Sequence, residues 1–315
     1  MRTTNSATIS ARIKQQAGAL GFDKVGFARA ETLSAEEVRL REWLARGYHA
    51  EMSWMARDPQ QRTHPRRIFP GAKSAVVVGL NYFTAHQHAE NDVTGKVSRY
   101  AWGEDYHDVV GEKLRALLSW IKAQWSHADG KICVDIQPTM DKAWAVRAGL
   151  GWMGKHTNLI TNEFGSWVFI GELFLNLELE YDEEIADQCG SCSLCIDACP
   201  TSAIVEPYLV DSNLCISNAT IESRAPEMRT DVAPNLNGWL YGCDICQDVC
   251  PWNQSTPVTA ESSFEPRAGN INASLSEILE LTPATYAERF RHSAMKRAKL
   301  PGLQRNARAL QRRPR

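Results

Sequence analysis

Eight of the nine cysteines in this chain fall between residues 189 and 250, and their spacing constrains the fold more than any other feature. The first run, Cys189-Gly-Ser-Cys192-Ser-Leu-Cys195-Ile-Asp-Ala-Cys199-Pro200, has the C-x2-C-x2-C-x3-C-P pattern of a bacterial-type ferredoxin, whose fourth cysteine ligates the other cluster. Cys189, Cys192 and Cys195 are therefore expected to hold one [4Fe-4S] cube. Their fourth ligand is Cys250, which ends the second run, Cys243-Asp-Ile-Cys246-Gln-Asp-Val-Cys250-Pro251. Cys199 then joins Cys243 and Cys246 on a second cube. That cube lacks one ligand, because Leu240 stands where a complete run would begin, and Cys215 is the unassigned thiol nearby. A disulfide framework belongs to small secreted chains, not to 315 residues with an apolar core. Paired zinc knuckles lack the two cysteine-proline endings with x3 spacing, so the pattern favours iron-sulfur over zinc. Cys133, inside the apolar stretch Lys131-Ile-Cys-Val-Asp-Ile136, reads as a small buried hydrophobe.

With 43% hydrophobic and 23% charged residues, the chain is an ordinary protein of about two domains. No run is long and apolar enough to span a bilayer, and residues 1–10 show neither an apolar h-region nor a twin arginine. Reduced cysteines and clusters then fit a cytoplasmic home. The formal charge of -2 hides an asymmetry: residues 289–315 hold ten Lys or Arg and no acid, leaving about -12 on the rest. Such an end is an electrostatic footprint for a polyanion such as RNA. A solvated helix face explains the same count equally well.

Taken in order, an amphipathic helix is predicted from Ala7 to Leu20, a strand over Lys24–Arg29, and a helix from Ser34 to Arg46 with a Ser34/Glu37 capping box. The arginine- and histidine-rich stretch 58–67 is a weak anion-binding signal or a solvated loop. Residues 73–82 read as a central buried strand and Thr84–Val97 as a surface loop. Tyr100, Trp102 and Tyr106 suggest a pocket edge or aromatic core packing. Asp105 and His107 approach the D-x-H-x2-G signature of a cobalt-ligating histidine, but Gly111 comes one residue late, so His107 is not assigned as a ligand. A helix over residues 107–125, a strand over 131–136 and a helix over 141–148 follow. Asp135 ends that strand before Pro138, where it projects into a site or caps the next helix. The glycines of residues 149–154 allow close backbone approach but do not match a dinucleotide fingerprint. Residues 166–176 are a strand, residues 253–272 a linker, and residues 275–281 and 286–290 helices.

The ordered set Glu51-Met-Ser-Trp-Met55, Arg62-Thr-His-Pro65, Arg99-Tyr-Ala-Trp-Gly-Glu-Asp-Tyr-His107, Val134-Asp135, Arg147-Ala-Gly-Leu-Gly-Trp-Met-Gly-Lys-His156, Gly165-Ser-Trp167, the first cysteine run, Cys215-Ile-Ser217 and Tyr241-Gly-Cys243 through Asn253 resembles the epoxyqueuosine reductases. The resemblance runs from about residue 10 to the end. It implies an α+β protein: a cobalamin-binding α/β region related to reductive dehalogenases (residues 1–180), a two-cluster ferredoxin-like module (181–255) and a short, basic, α-helical C-terminal segment (256–315). It implies an oxidoreductase with two [4Fe-4S] clusters and cobalamin (B12), reducing epoxyqueuosine to queuosine at the wobble position of tRNA. Asp135 falls on the family's proton donor. The family's corrin contacts fall on Arg62, Asp135, His156, Ile170, Ser217, Cys243 and Asp244. The expected partners are a tRNA anticodon stem-loop and an external electron donor, with no membrane and a monomeric chain. Ile136-Gln137 and Asp141 depart from the family's pattern. The chain stops at Arg315, where family members often continue into helical repeats, so its basic end is expected to take a larger share of the RNA contact. As proton donor, Asp135 must be protonated near neutral pH, which burial beside an apolar corrin face would favour. The runner-up is a dehalogenase-like enzyme acting on a small molecule, with Tyr100 or Tyr106 as donor. A plain electron carrier is disfavoured, because about 185 residues precede the first cluster cysteine.

Overall fold

Ser74-Ala-Val-Val-Val-Gly-Leu-Asn81 is apolar at most positions, and such a strand is stable only with both faces covered. The computed structural model describes residues 2–312, residues 2–5 by backbone alone, and shows that cover. Its strands are β1 (Lys24–Arg29), β2 (Ser74–Asn81), β3 (Thr94–Val97), β4 (Gly130–Cys133), β5 (Trp152–Met153), β6 (Leu159–Ile160), β7 (Val168–Leu175), β8 (Ile204–Glu206), β9 (Leu209–Val210), β10 (Trp239–Tyr241) and β11 (Asn272–Ser274). Its helices are α1 (Arg2–Ala19), α2 (Ser34–Ala45), α3 (Pro59–Thr63), α4 (Pro65–Ile68), α5 (Tyr106–Gln124), α6 (Asp141–Arg147), α7 (Leu194–Asp197), α8 (Ile216–Ile221), α9 (Ile245–Asp248), α10 (Leu275–Glu280), α11 (Pro283–Arg289) and α12 (Lys299–Gln311).

The main sheet has the order β1-β2-β7-β4 and is antiparallel throughout. On one face, Ile13 of α1 and Leu114, Leu117 and Ile121 of α5 pack with Val76, Val78, Leu173 and Leu175. On the other, Ala143, Trp144 and Ala145 of α6 pack with Ala75, Val77 and Phe174. Each such Val or Leu contributes about 1.5–3 kcal/mol by leaving water. The end of α6 lies so close to β1 that a Cβ on Gly26 would stand 1.9 Å from the Ala148 carbonyl oxygen.

A second sheet, β10-β3-β11, takes one strand from each of the three expected segments. Thr94–Val97 is thus a strand and not part of a surface loop, with Val97 fully buried and Gly95 packed tightly on Leu240. Residues 253–272 are not a free linker either, since Phe264 is buried in the main core and Asn253 is hydrogen-bonded to Ser166. The capping box is absent: Leu33 caps α2, and Glu37 pairs with Arg41 at 2.7 Å. The strand expected to reach Ile136 ends at Cys133, because the chain turns sharply through Asp135, whose φ is +55°.

Part of the basic end is used inside the protein. Arg305, 3% exposed, donates hydrogen bonds to the carbonyls of Ala219, Ser223 and Ala225. Asn306 beside it donates to the Thr220 and Leu240 carbonyls. Arg289 pairs with Glu277 and Arg297 with Glu222. These cations fasten α12 and its approach to the cysteine-bearing segment, and Arg305 among them is buried away from any RNA. Arg313 and Arg315 lie outside the described residues. Among the described residues no helix is long and apolar enough to cross a membrane.

Candidate active site

The cysteine runs fold into α7 and α9 with their flanking turns, and the thiols form two neighbourhoods. Burial pushes the Cys250 thiol up to about 11, and the charges of Cys189, Cys195 and Cys192 add to it. Burial likewise raises Cys243 and Cys246. Cys243 feels Cys246 and Cys215, whereas Cys246 feels Cys215, Cys199 and, last, Cys195. Cys215 in turn feels Cys199. The neighbourhoods are therefore adjacent, Cys195 of the one being felt by Cys246 of the other. Among the described residues no three His, Cys, Asp or Glu side chains converge as ligands of a single ion would. Thiolates that each bind a separate corner of a cube need no such convergence. Cys133 lies apart, fully buried in the core beneath α6. One donor that the sequence did not flag supports the first run: Lys155 donates to the carbonyls of Gly190 and Cys192 at 2.6 and 2.8 Å.

A cavity of about 420 Å³ lies between the main sheet and the second set of thiols. Cys199, Cys215, Cys243 and Cys246 border it together with Tyr106, Asp135 and Asp141, and Val168 and Ile170 of β7 supply apolar wall. Ser217 and His156 also line it. His156 is 4% exposed, and burial, with the Lys142 charge, pushes its pKa down to about 4, so the ring is neutral. Its Nδ1 accepts from the Asn158 amide, which leaves an Nε2–H with no partner. Asp244 borders the cavity, but its carboxylate accepts from Ser98 Oγ and the Arg99 amide at 2.5 and 2.7 Å. Arg62 is not brought to the wall. It donates to the Trp54 carbonyl, with its guanidinium 5.0 Å from the Trp54 ring.

Asp135 is held from two sides. Tyr106 donates its hydroxyl to Oδ2 at 2.5 Å, and His107 Nε2 lies 3.3 Å from the same oxygen. The other ring nitrogen of His107 meets Asp105 at 2.6 Å. Burial works against charge on His107, but the two carboxylates outweigh it and raise its pKa to about 9. Burial also works to raise Asp135, but the hydrogen bonds from His107 and Tyr106 outweigh it and hold the carboxyl below its usual range. In the protein alone the proton sits on His107, one hydrogen bond away, and burial beside an apolar corrin face is not yet in play. Nor is Asp135 a helix cap, since Met140 occupies that place. Tyr106 serves Asp135 as a donor, and Tyr100 donates to Tyr241 at 2.9 Å. His107, rejected as a metal ligand, and Lys142, whose ammonium bonds the Thr157 carbonyl and Asn158 beside the cavity, emerge only from the fold.

The wall suits a broad, flat, apolar group with an amide fringe: Val168, Ile170 and Ile216 offer apolar contact, while Ser217, Asn158 and the orphan N–H of His156 offer polar contacts. Residues 62–136 match the family described as epoxyqueuosine reductase QueG, DUF1730, and residues 188–253 match a 4Fe-4S double cluster binding domain. An epoxyqueuosine reductase of Synechocystis is 48% identical over 272 residues, 86% of this chain and 93% of the relative. One of Atelocyanobacterium thalassa is 43% identical over 306 residues, 96% of this chain and 99% of the relative. Among solved structures, an epoxyqueuosine reductase with a tRNA-Tyr epoxyqueuosine-modified stem loop gives a TM-score of 0.90 at 31% identity, covering 96% of this chain and 80% of that one. The Bacillus subtilis enzyme, solved with its catalytic aspartate loop swung out of the active site, gives 0.89 at 30% identity, covering 96% and 81%.

Proposed function

The chain belongs to the epoxyqueuosine reductase family, and from that premise we propose that it reduces epoxyqueuosine to queuosine at the wobble position of tRNA, with two [4Fe-4S] clusters, cobalamin and Asp135 as proton donor. The observation that carries this reading is one cavity lined both by an aspartate, paired with a protonated histidine, and by four cysteines.

Cys189, Cys192, Cys195 and Cys250 are the ligands of the outer cluster, next to the exposed Leu194, where an external donor can approach. Cys199, Cys215, Cys243 and Cys246 hold the inner cluster at the cavity wall. Cobalamin, when bound, supplies the two-electron reductant that one-electron cubes cannot. His156, Ile170, Ser217 and the Cys243-Asp244 peptide would hold it. Asp244 contributes through its backbone, because its carboxylate is committed to Ser98 and Arg99. Arg62 acts at longer range, its charge felt by Asp141 and Asp135.

Asp105 fixes the His107 tautomer, and His107 keeps a proton against Oδ2 of Asp135. When substrate and cofactor displace water, the Asp135 anion becomes costlier, and transfer from His107 Nε2 to Asp135 places the proton at the epoxide oxygen. Tyr106 orients the carboxyl during that transfer. The tight turn at Asp135, with Ile136 74% exposed, makes this segment the counterpart of the mobile catalytic loop in the Bacillus subtilis enzyme.

The test is Asp135→Ala in anaerobically purified protein. It should keep about eight irons per chain, take up cobalamin and lose turnover of an epoxyqueuosine stem loop. Full turnover in that variant would eliminate Asp135 as donor.

A further inference from the structure

In Val168-Phe-Ile-Gly-Glu-Leu-Phe-Leu175 the one charged residue is Glu172, in the middle of a strand whose neighbours are β2 and β4. It faces Val77 across one ladder and Cys133 across the other, and it is 0% exposed. Alternation along β7 puts its side chain on the same face as Val168 and Ile170, which line the cavity, and away from Gly171, which meets α5. An unpaired carboxylate there would cost several kcal/mol. Among the described residues no side-chain donor or cation pairs with either of its oxygens. Its polar side-chain partner among the described residues is the Asp141 carboxyl, at the start of α6 and on the cavity wall. Asp141 also accepts from Thr139 Oγ1 at 2.6 Å. Two carboxyl groups in contact in the interior cannot both be ionised, so the pair binds one proton.

We infer that Glu172 and Asp141 share that proton beneath the cavity and that the pair delivers the second of the two protons that the reaction consumes. The inference rests on the proposed reaction. In the reaction, one epoxide C–O bond breaks and its oxygen takes a proton. The remaining C–O bond then breaks, the oxygen leaves as water with a second proton, and two electrons from the external donor become the C=C π bond. Asp135 and His107 hold one transferable proton between them. The Glu172–Asp141 pair is a second store, reached through Asp141. Its surroundings are mixed: Asp135 from the turn after β4 disfavours further negative charge, the Cys133 thiol from β4 is held neutral by burial, and Lys142 on α6 and Arg62 on α3 favour an anion on Asp141. Burial, then the charge of Asp141, drives Glu172 well above its usual range, so the proton resides on Glu172 and Asp141 accepts its hydrogen bond.

Glu172→Gln separates this role from a purely structural one, because the amide still donates to Asp141 but has no proton to give. In anaerobic holoenzyme at mildly alkaline pH, the infrared spectrum should show a protonated-carboxyl C=O band that moves in D2O and disappears in Glu172→Gln. The variant's kcat on an epoxyqueuosine stem loop should fall at least about tenfold, most steeply as pH rises, with KM, iron and cobalamin content unchanged. Wild-type kcat in Glu172→Gln at every pH, or no such band in the wild type, overturns the inference. If Glu172→Gln does not fold, Asp141→Asn should give the same kcat loss with the Glu172 band still present, and undiminished kcat there also overturns it. A wild-type protein that shows the band but does not turn over the stem loop instead refutes the proposed reaction and, with it, the delivery role, leaving only the shared proton.

Discussion

Asp105→Asn tests the coupling between His107 and Asp135. Asp105 touches His107 twice: Oδ1 accepts from the His107 amide at 3.1 Å as the cap of α5, and it meets Nδ1 at 2.6 Å. Asparagine caps as well as aspartate, so the helix should keep its stability. What the variant loses is charge. The rise of His107 from 6.5 to about 9 corresponds to about 3.4 kcal/mol at 1.36 kcal/mol per unit. Of the two carboxylates that oppose the burial penalty, Asp105 is the stronger and the closer. Removing it should lower the His107 pKa by roughly one to two units. A raised histidine pKa contributes fully below the unfolded value near 6.5 and is lost as pH rises through about 9. Proton supply to Asp135 should therefore fail earlier in the variant. Single-turnover rates on an epoxyqueuosine stem loop should be similar for the two proteins near pH 6. The variant should fall about tenfold behind near pH 8.5. Taking the ratio at each pH cancels the pH dependence of the reductant. A basic limb at the same pH in both proteins would refute the coupling, provided the variant's thermal midpoint is unchanged.

Other substitutions probe the remaining parts. Cys215→Ala should lose the inner cluster and leave about four irons, whereas Cys133→Ala should keep about eight; iron analysis and the electron paramagnetic resonance of reduced protein decide, and equal iron in the two variants would dissolve the assignment of Cys215. Arg305→Ala strands three buried carbonyls and should cost on the order of 3 kcal/mol, read as a lower thermal midpoint; an unchanged midpoint would mean that α12 is held by its apolar face alone. Binding of the stem loop should weaken steeply with salt if phosphates are contacted. Lys299→Ala with Arg308→Ala should reduce that slope while Arg297→Ala does so less, because Arg297 is already paired with Glu222; equal slopes would remove the C-terminal helix from the RNA surface.

The sequence by itself determined the family and the eight thiols, because ligand spacing is a local property that survives whatever the rest of the chain does. It also determined the central strand and the long helix of residues 106–124, where apolar periodicity is unambiguous. It could not determine protonation. That His107 holds the proton next to Asp135 in the protein alone was not legible, since a pKa depends on which charges end up within a few ångströms. Glu172 was visible as one acid in an apolar strand, but its meaning depends on Asp141, thirty-one positions earlier and in contact only after α6 packs on the sheet. The basic end was legible as charge and illegible as structure: only the packing of α12 decides that Arg305 is buried among carbonyls while Lys299 and Arg308 remain exposed. Composition fixes how many charges a chain has, and tertiary structure fixes which of them face water.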